Sequence, residues 1–161
     1  MATDPLSALP PEARAEINAL VDDDRRQVPW RPLVDEADPS RPTPQRLAYD
    51  SPADFLLYGG AAGGGKTDIL LGLALTQHRR SMIWRREYRQ LAAIVDRAKA
   101  IVGTRSFREH PESRFLFPDG RLIRFGGMAV AGDEKGYQGQ PYDLMAFDEL
   151  TEFLESQFRF V

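Results

Sequence analysis

From Gly60 to Thr67 the chain reads Gly-Ala-Ala-Gly-Gly-Gly-Lys-Thr, which satisfies G-x-x-x-x-G-K-[ST]. This spacing is a set of atoms that can hold phosphate. Glycines let successive backbone N–H groups turn inward around an anion where side chains would clash. Lys66 adds a point charge for the β- and γ-phosphates, and the Thr67 hydroxyl is a hard oxygen suited to Mg²⁺. Lysine is scarce, occurring at Lys66, Lys99 and Lys135 against eighteen arginines, which makes its placement in this loop informative. The alternative is a glycine-rich turn between strand and helix that holds no ligand.

A second constellation lies near the other end. Leu144-Met145-Ala146-Phe147 is followed by Asp148-Glu149, an apolar run closed by two carboxylates. Beside a phosphate loop, Asp148 would hold the hydration shell of Mg²⁺ opposite Thr67. Glu149 would orient and deprotonate an attacking water. The alternative is an ordinary strand ending in surface acids.

These groups need elements to carry them. Phe55-Leu56-Leu57-Tyr58, after the breaker Ser51-Pro52, reads as a buried parallel strand leading into the loop. Asp68 to Thr76 is apolar nearly all round, as a helix in an α/β interior would be, and its N-terminus would face the phosphates. Ser81–Arg85 reads as a second buried strand and Glu87–Val102 as a helix, with Leu91, Ile94, Val95, Ala98 and Ile101 at helical spacing and Gly103 closing it. Phe115–Phe117 and Leu122–Phe125 flank the turn residues Pro118-Asp119-Gly120 as a hairpin. Leu144–Phe147 reads as a last buried strand, and Thr151 as the cap of a final helix. The expected fold class is α/β, a P-loop NTPase of the ASCE type: a parallel sheet flanked by helices.

Residues 1–44 differ from the rest and hold eight of the twelve prolines. They read as an N-terminal arm: one helix from about Pro11 to Arg25, with Ile17, Leu20 and Val21 on one face, then an extended segment from Gln27 to Pro44. A disordered leader is the alternative. Residues 45–161 read as the phosphate-loop domain. The net charge of −3 does not advertise a nucleic-acid binder, although a local basic patch is compatible with it. The absence of cysteine excludes a disulfide framework and a Cys-based zinc site. No stretch approaches membrane-spanning length and the start has no signal-peptide pattern, so the expectation is a soluble, intracellular protein.

From about Trp30 to Val161 the chain resembles the N-terminal ATPase region of tailed-bacteriophage terminase large subunits, the motors that package viral DNA. The likeness rests on Pro44-Gln45; on Ser51-Pro52-Ala53-Asp54 leading into Leu57-Tyr58-Gly59 and the loop; on Trp84-Arg85-Arg86-Glu87-Tyr88; on Gly136-Tyr137-Gln138-Gly139; and on Phe147-Asp148-Glu149-Leu150-Thr151-Glu152-Phe153. The two phosphate-site motifs alone are generic, and their combination with the other segments is more specific.

The resemblance implies ATP and Mg²⁺ as ligands. Gly60, Ala61, Ala62, Gly63, Gly64, Gly65, Lys66, Thr67 and Asp68 would form the phosphate-binding set, with Thr67 and Asp148 at the metal and Glu149 and Lys66 in the chemistry. Gln45 is similar to an upstream glutamine that reads adenine, a task suited to an amide, with a solvated loop glutamine as the alternative. Arg85 or Arg86 would serve as a finger on a neighbouring subunit's ATP, with salt bridging to Glu87 or a helix N-terminus as the alternative. Tyr137-Gln138-Gly139 would shape the site or a DNA-facing loop. Many members carry an arginine inside the phosphate loop; here those positions are Ala61, Ala62, Gly63 and Gly64. Implied partners are double-stranded viral DNA, a portal, a small terminase subunit and further copies in a ring, in the host cytoplasm and with no membrane.

The family usually carries a C-terminal nuclease domain, and in folds of this class a further strand inserts between the loop strand and the acidic strand. Neither is found before Val161, so the expectation is an ATPase domain incomplete at its C-terminus that binds nucleotide weakly if at all and does not sustain hydrolysis. Two other readings stay open: a helicase-like or kinase-like P-loop enzyme, and a non-catalytic binding or scaffold protein of the same fold.

Overall fold

A computed structural model of the chain describes residues 9–26, 30–61, 63–103, 108–110 and 113–160. Five α-helices occur among them: α1 (Pro11–Arg26), α2 (Pro44–Tyr49), α3 (Lys66–Thr76), α4 (Leu91–Val102) and α5 (Glu155–Phe160). The strands are β1 (Arg80–Arg85), β2 (Arg108–His110), β3 (Arg114–Leu116), β4 (Leu122–Gly127) and β5 (Leu144–Phe147). They form one sheet in the order β2-β3-β4-β1-β5. β1 pairs in parallel with both β4 and β5, whereas β2-β3 and β3-β4 are antiparallel. The class is therefore α/β, and the expected parallel sheet is mixed, with antiparallel pairs on one side. The β3–β4 hairpin is the reason, because a tight turn can join only antiparallel neighbours.

Period-two alternation along β1 assigns its residues to two cores. Ile83 faces a larger core with Ile69, Leu71, Leu75, Ile94, Ala98, Ile123, Phe125 and Ala146, covered by α3 and α4. Met82 and Trp84 face a smaller one with Met128, Tyr137, Phe147 and Phe153. Each fully buried side chain of this size contributes about 1.5–3 kcal/mol relative to exposure. α3 is buried at Ile69 and from Leu71 through Leu75, in keeping with its nearly uniform apolar sequence. α4 buries Leu91, Ile94, Ala98, Ile101 and Val102 and ends on Gly103 at φ 65°.

Three expectations are corrected. Phe55–Tyr58 is not a strand: it lies outside the sheet, with Phe55 86% and Leu57 81% exposed. A parallel strand persists only where a neighbour accepts its N–H groups, and among the described residues no strand lies along the outer edge of β5. For the same reason β5 is an edge strand, with Met145 44% exposed, rather than a buried one. Thr151 does not cap the last helix. It sits inside a 3₁₀ turn, Leu150–Glu152, and α5 begins at Glu155.

The arm from Trp30 onward is docked on the body. α1 runs one residue beyond the expected Arg25. Trp30 is buried against Tyr49, with ring centroids 5.5 Å apart, and over Gly72 of α3. A Cβ at Gly72 would enter the Trp30 ring, so the glycine is what admits the arm. The expected segment from Gln27 begins with Gln27–Pro29, outside the described residues, and it ends one residue early because Thr43 caps α2 and Pro44 opens it. Among the described residues no helix is long and apolar enough to cross a membrane.

Candidate functional site

Gly60, Ala61, Gly63 and Gly64 are exposed, and the loop closes on itself. The Gly64 N–H donates to the Ala61 carbonyl at 3.3 Å, and the Tyr58 hydroxyl donates to the Gly64 carbonyl at 3.1 Å. Lys66 Nζ donates to the carbonyls of Gly60 (2.9 Å) and Ala61 (2.8 Å), which places its ammonium over the loop with a third donor still to spend. Gly65 stands at φ 69° directly before α3, and a Cβ there would collide with the Gln45 amide. Ala62 lies outside the described residues. The N-terminus of the eleven-residue α3, with its positive dipole end, follows at Lys66 and Thr67.

Gln45 belongs to α2 and is 2% exposed, so it is not a solvated loop residue. Its Oε1 accepts from the Leu33 N–H at 2.7 Å and its Nε2 donates to the Gly65 carbonyl at 3.1 Å. The amide thus ties the arm to the base of the phosphate loop. The sequence already carries a helix-start signal at Thr43-Pro44, which would have placed Gln45 on a helix.

The second half of the site comes from the β1–β5 ladder. Trp84 is registered with Phe147, and the Asp148 N–H extends the ladder by donating to the Trp84 carbonyl at 2.9 Å. Arg85 and Asp148 are therefore neighbours on the face that Ile83 and Ala146 share with α3. Thr67 Oγ1 donates to Asp148 Oδ2 at 3.1 Å across 81 residues of sequence. Arg85 Nε and Nη2 donate to the same oxygen at 3.0 and 2.8 Å, and Nη2 lies 3.5 Å from Glu149 Oε1. Asp148 is 3% exposed and Glu149 40% exposed. Glu149 holds a left-handed backbone, φ 60° and ψ 52°, at the turn out of β5. A non-glycine residue there stores about 1–2 kcal/mol of strain.

The remaining expected residues scatter around this centre. Arg86 points elsewhere, donating to the Glu152 carbonyl at 2.8 Å. Neither arginine makes the salt bridge to Glu87 considered as the alternative; Arg85 reaches the carboxylates and Arg86 braces the turn after them. Asp68 faces α4 and is held by Arg97 at 2.8 and 2.6 Å, and that hydrogen bond raises the Arg97 pKa above its ordinary value. Tyr137 lies under the opposite sheet face, edge-on to Trp84 at 5.6 Å, and donates to the Gly127 carbonyl at 3.0 Å. Burial raises its pKa above the usual tyrosine value, partly offset by the nearby Arg124. Gln157, which the sequence did not single out, is fully buried and donates to the carbonyls of Met128 (3.0 Å) and Val130 (2.9 Å), fixing α5 to the loop after β4.

No protein-family model, curated protein or solved structure matches the chain. The functional reading therefore rests on the residues themselves. Together they offer an ammonium over a glycine-rich loop, a hydroxyl beside a carboxylate, a second and more exposed carboxylate, and a guanidinium. A hydroxyl and one carboxylate are the protein oxygens that commonly hold Mg²⁺ when phosphates and water complete its shell.

Proposed function

We propose that the chain is a P-loop nucleotide hydrolase that binds ATP with Mg²⁺, of the kind that powers DNA packaging in terminase large subunits. The observation that carries this reading is the 3.1 Å hydrogen bond from Thr67 Oγ1 to Asp148 Oδ2. It joins two motifs, each weak as evidence for hydrolysis alone, in the relation a phosphate-bound metal requires. In this reading the N–H groups of Gly60–Gly65 and the Lys66 ammonium bind the β- and γ-phosphates. Thr67 and Asp148 hold the metal, which when bound supplies charge neutralisation on the phosphates. Glu149, exposed beside them, orients a water and takes its proton. With no arginine among the loop's own residues, Arg85, which reaches both Asp148 and Glu149, is the guanidinium this reading assigns to the phosphates. Double-stranded viral DNA, a portal, a small terminase subunit, a homo-oligomeric ring and the host cytoplasm belong to the proposal through the resemblance alone.

The test is binding of a fluorescent ATP analogue with Mg²⁺ to the wild type and to Lys66→Ala. The expected result is saturable binding weakened about tenfold or more by the substitution. Equal affinity of the two proteins, or no saturable binding at millimolar analogue, would remove the reading. A non-catalytic protein of the same fold is the second reading, favoured by the unpaired Phe55–Tyr58 segment at the entrance to the loop. It expects binding with no Glu149-dependent turnover.

A further inference from the structure

Asp148 Oδ2 accepts from three donors: Thr67 Oγ1 at 3.1 Å, Arg85 Nε at 3.0 Å and Arg85 Nη2 at 2.8 Å. A carboxylate oxygen offers two lone-pair directions, so this atom is saturated. Arg85 is 16% exposed, and the β1–β5 register sets its backbone beside Asp148. The same guanidinium lies 3.5 Å from Glu149 Oε1.

We infer that Arg85 is a built-in counter-cation that makes divalent-metal binding at Asp148 conditional on phosphate. The inference rests on the reading of the loop as a nucleotide site. A divalent ion arriving alone meets a carboxylate already paired with a guanidinium, with one of its two oxygens saturated. To bind through Oδ2 it must displace the guanidinium, whose remaining anionic neighbour is the more exposed Glu149 with Oε1 at 3.5 Å, and weakening the pairing of a largely buried charge is costly. A nucleotide brings several negative charges. Its phosphates give Arg85 a planar, bidentate-capable partner and supply the charge that retains the metal. Metal and nucleotide then bind as a pair, and each raises the affinity for the other by the same factor. A purely structural ion pair has the opposite signature: removing Arg85 would disorder Asp148 and weaken metal binding.

The deciding experiment titrates Mn²⁺ alone, followed by its electron paramagnetic resonance signal, into the wild type and Arg85→Gln in the full chain. The expected result is Mn²⁺ affinity about tenfold higher in Arg85→Gln. Equal or weaker affinity in the variant overturns the inference. If circular dichroism shows Arg85→Gln unfolded, Arg85→Lys is read by the same criterion; it keeps the charge but loses the two-donor grip, and an intermediate gain is expected. A parallel titration of the wild type with the fluorescent ATP analogue separates the two claims. Its failure removes the nucleotide reading, while the Mn²⁺ comparison still decides whether Arg85 guards Asp148.

Discussion

Arg85 and Asp148 stand side by side one step past the last registered pair of the β1–β5 ladder, and both donors of the guanidinium converge on a single carboxylate oxygen. Their sequence separation of 63 residues makes the contact a product of the sheet alone. Removing the acid strands a guanidinium that is largely out of water. Asp148→Ala is expected to destabilise the fold by about 2–3 kcal/mol, with Glu149 recovering part of the loss. Asp148→Asn, which keeps an acceptor, is expected to cost less. Urea unfolding of the three proteins measures this; a loss below about 0.5 kcal/mol for the alanine variant would mean that the pair is isoenergetic with its separated groups.

The backbone of Glu149 sets stability against chemistry. At φ 60° a glycine is unstrained, whereas alanine and glutamate are not. Glu149→Gly is expected to be more stable than Glu149→Ala by about 1 kcal/mol, although both delete the carboxylate. A thermal or urea comparison of these two variants isolates the backbone term. Equal stabilities would show that the left-handed turn relaxes at no cost.

Docking of the arm depends on a missing methyl group. Gly72→Ala is expected to push Trp30 off α3 and to cost about 1–3 kcal/mol through overpacking. The other tryptophan, Trp84, is 1% exposed in the smaller core. A red shift in tryptophan emission would therefore report on Trp30. An unshifted spectrum with unchanged stability would contradict the tight approach of ring and helix.

Tyr137 ties stability to alkaline pH. Its pKa is raised in the folded protein, chiefly by burial, so the neutral form is the one the fold favours. The contribution is fully present below the ordinary tyrosine value of about 10 and is lost as the pH rises through the folded value. Tyr137→Phe is expected to cost about 1 kcal/mol at neutral pH by deleting the hydrogen bond to Gly127. It is also expected to flatten the decline in stability above pH 10. A decline as steep as in the wild type would assign the alkaline loss to other groups.

What the sequence determined by itself is local. The Gly60–Thr67 spacing, the apolar run of α3, the helical periodicity of α4 with its closing glycine and the Pro118-Asp119-Gly120 turn are encoded within a few residues. Each rests on backbone freedom or side-chain period, which neighbours along the chain settle. The tertiary structure decided what depends on partners. Phe55–Tyr58 has the composition of a buried strand, and yet Phe55 to Leu57 lie in solvent, because a strand needs a ladder and composition cannot supply one. Gln45 read as an adenine-facing amide or a solvated loop residue, and only the fold showed Leu33 and Gly65 on its two ends. Arg85 and Arg86 are adjacent in sequence, but Arg85 closes β1 while Arg86 lies one step past it, and only the register with β5 placed Arg85, not Arg86, on Asp148. Adjacent residues diverge while residues far apart converge, so the charges around Asp148 could be enumerated from the sequence but only the sheet could pair them.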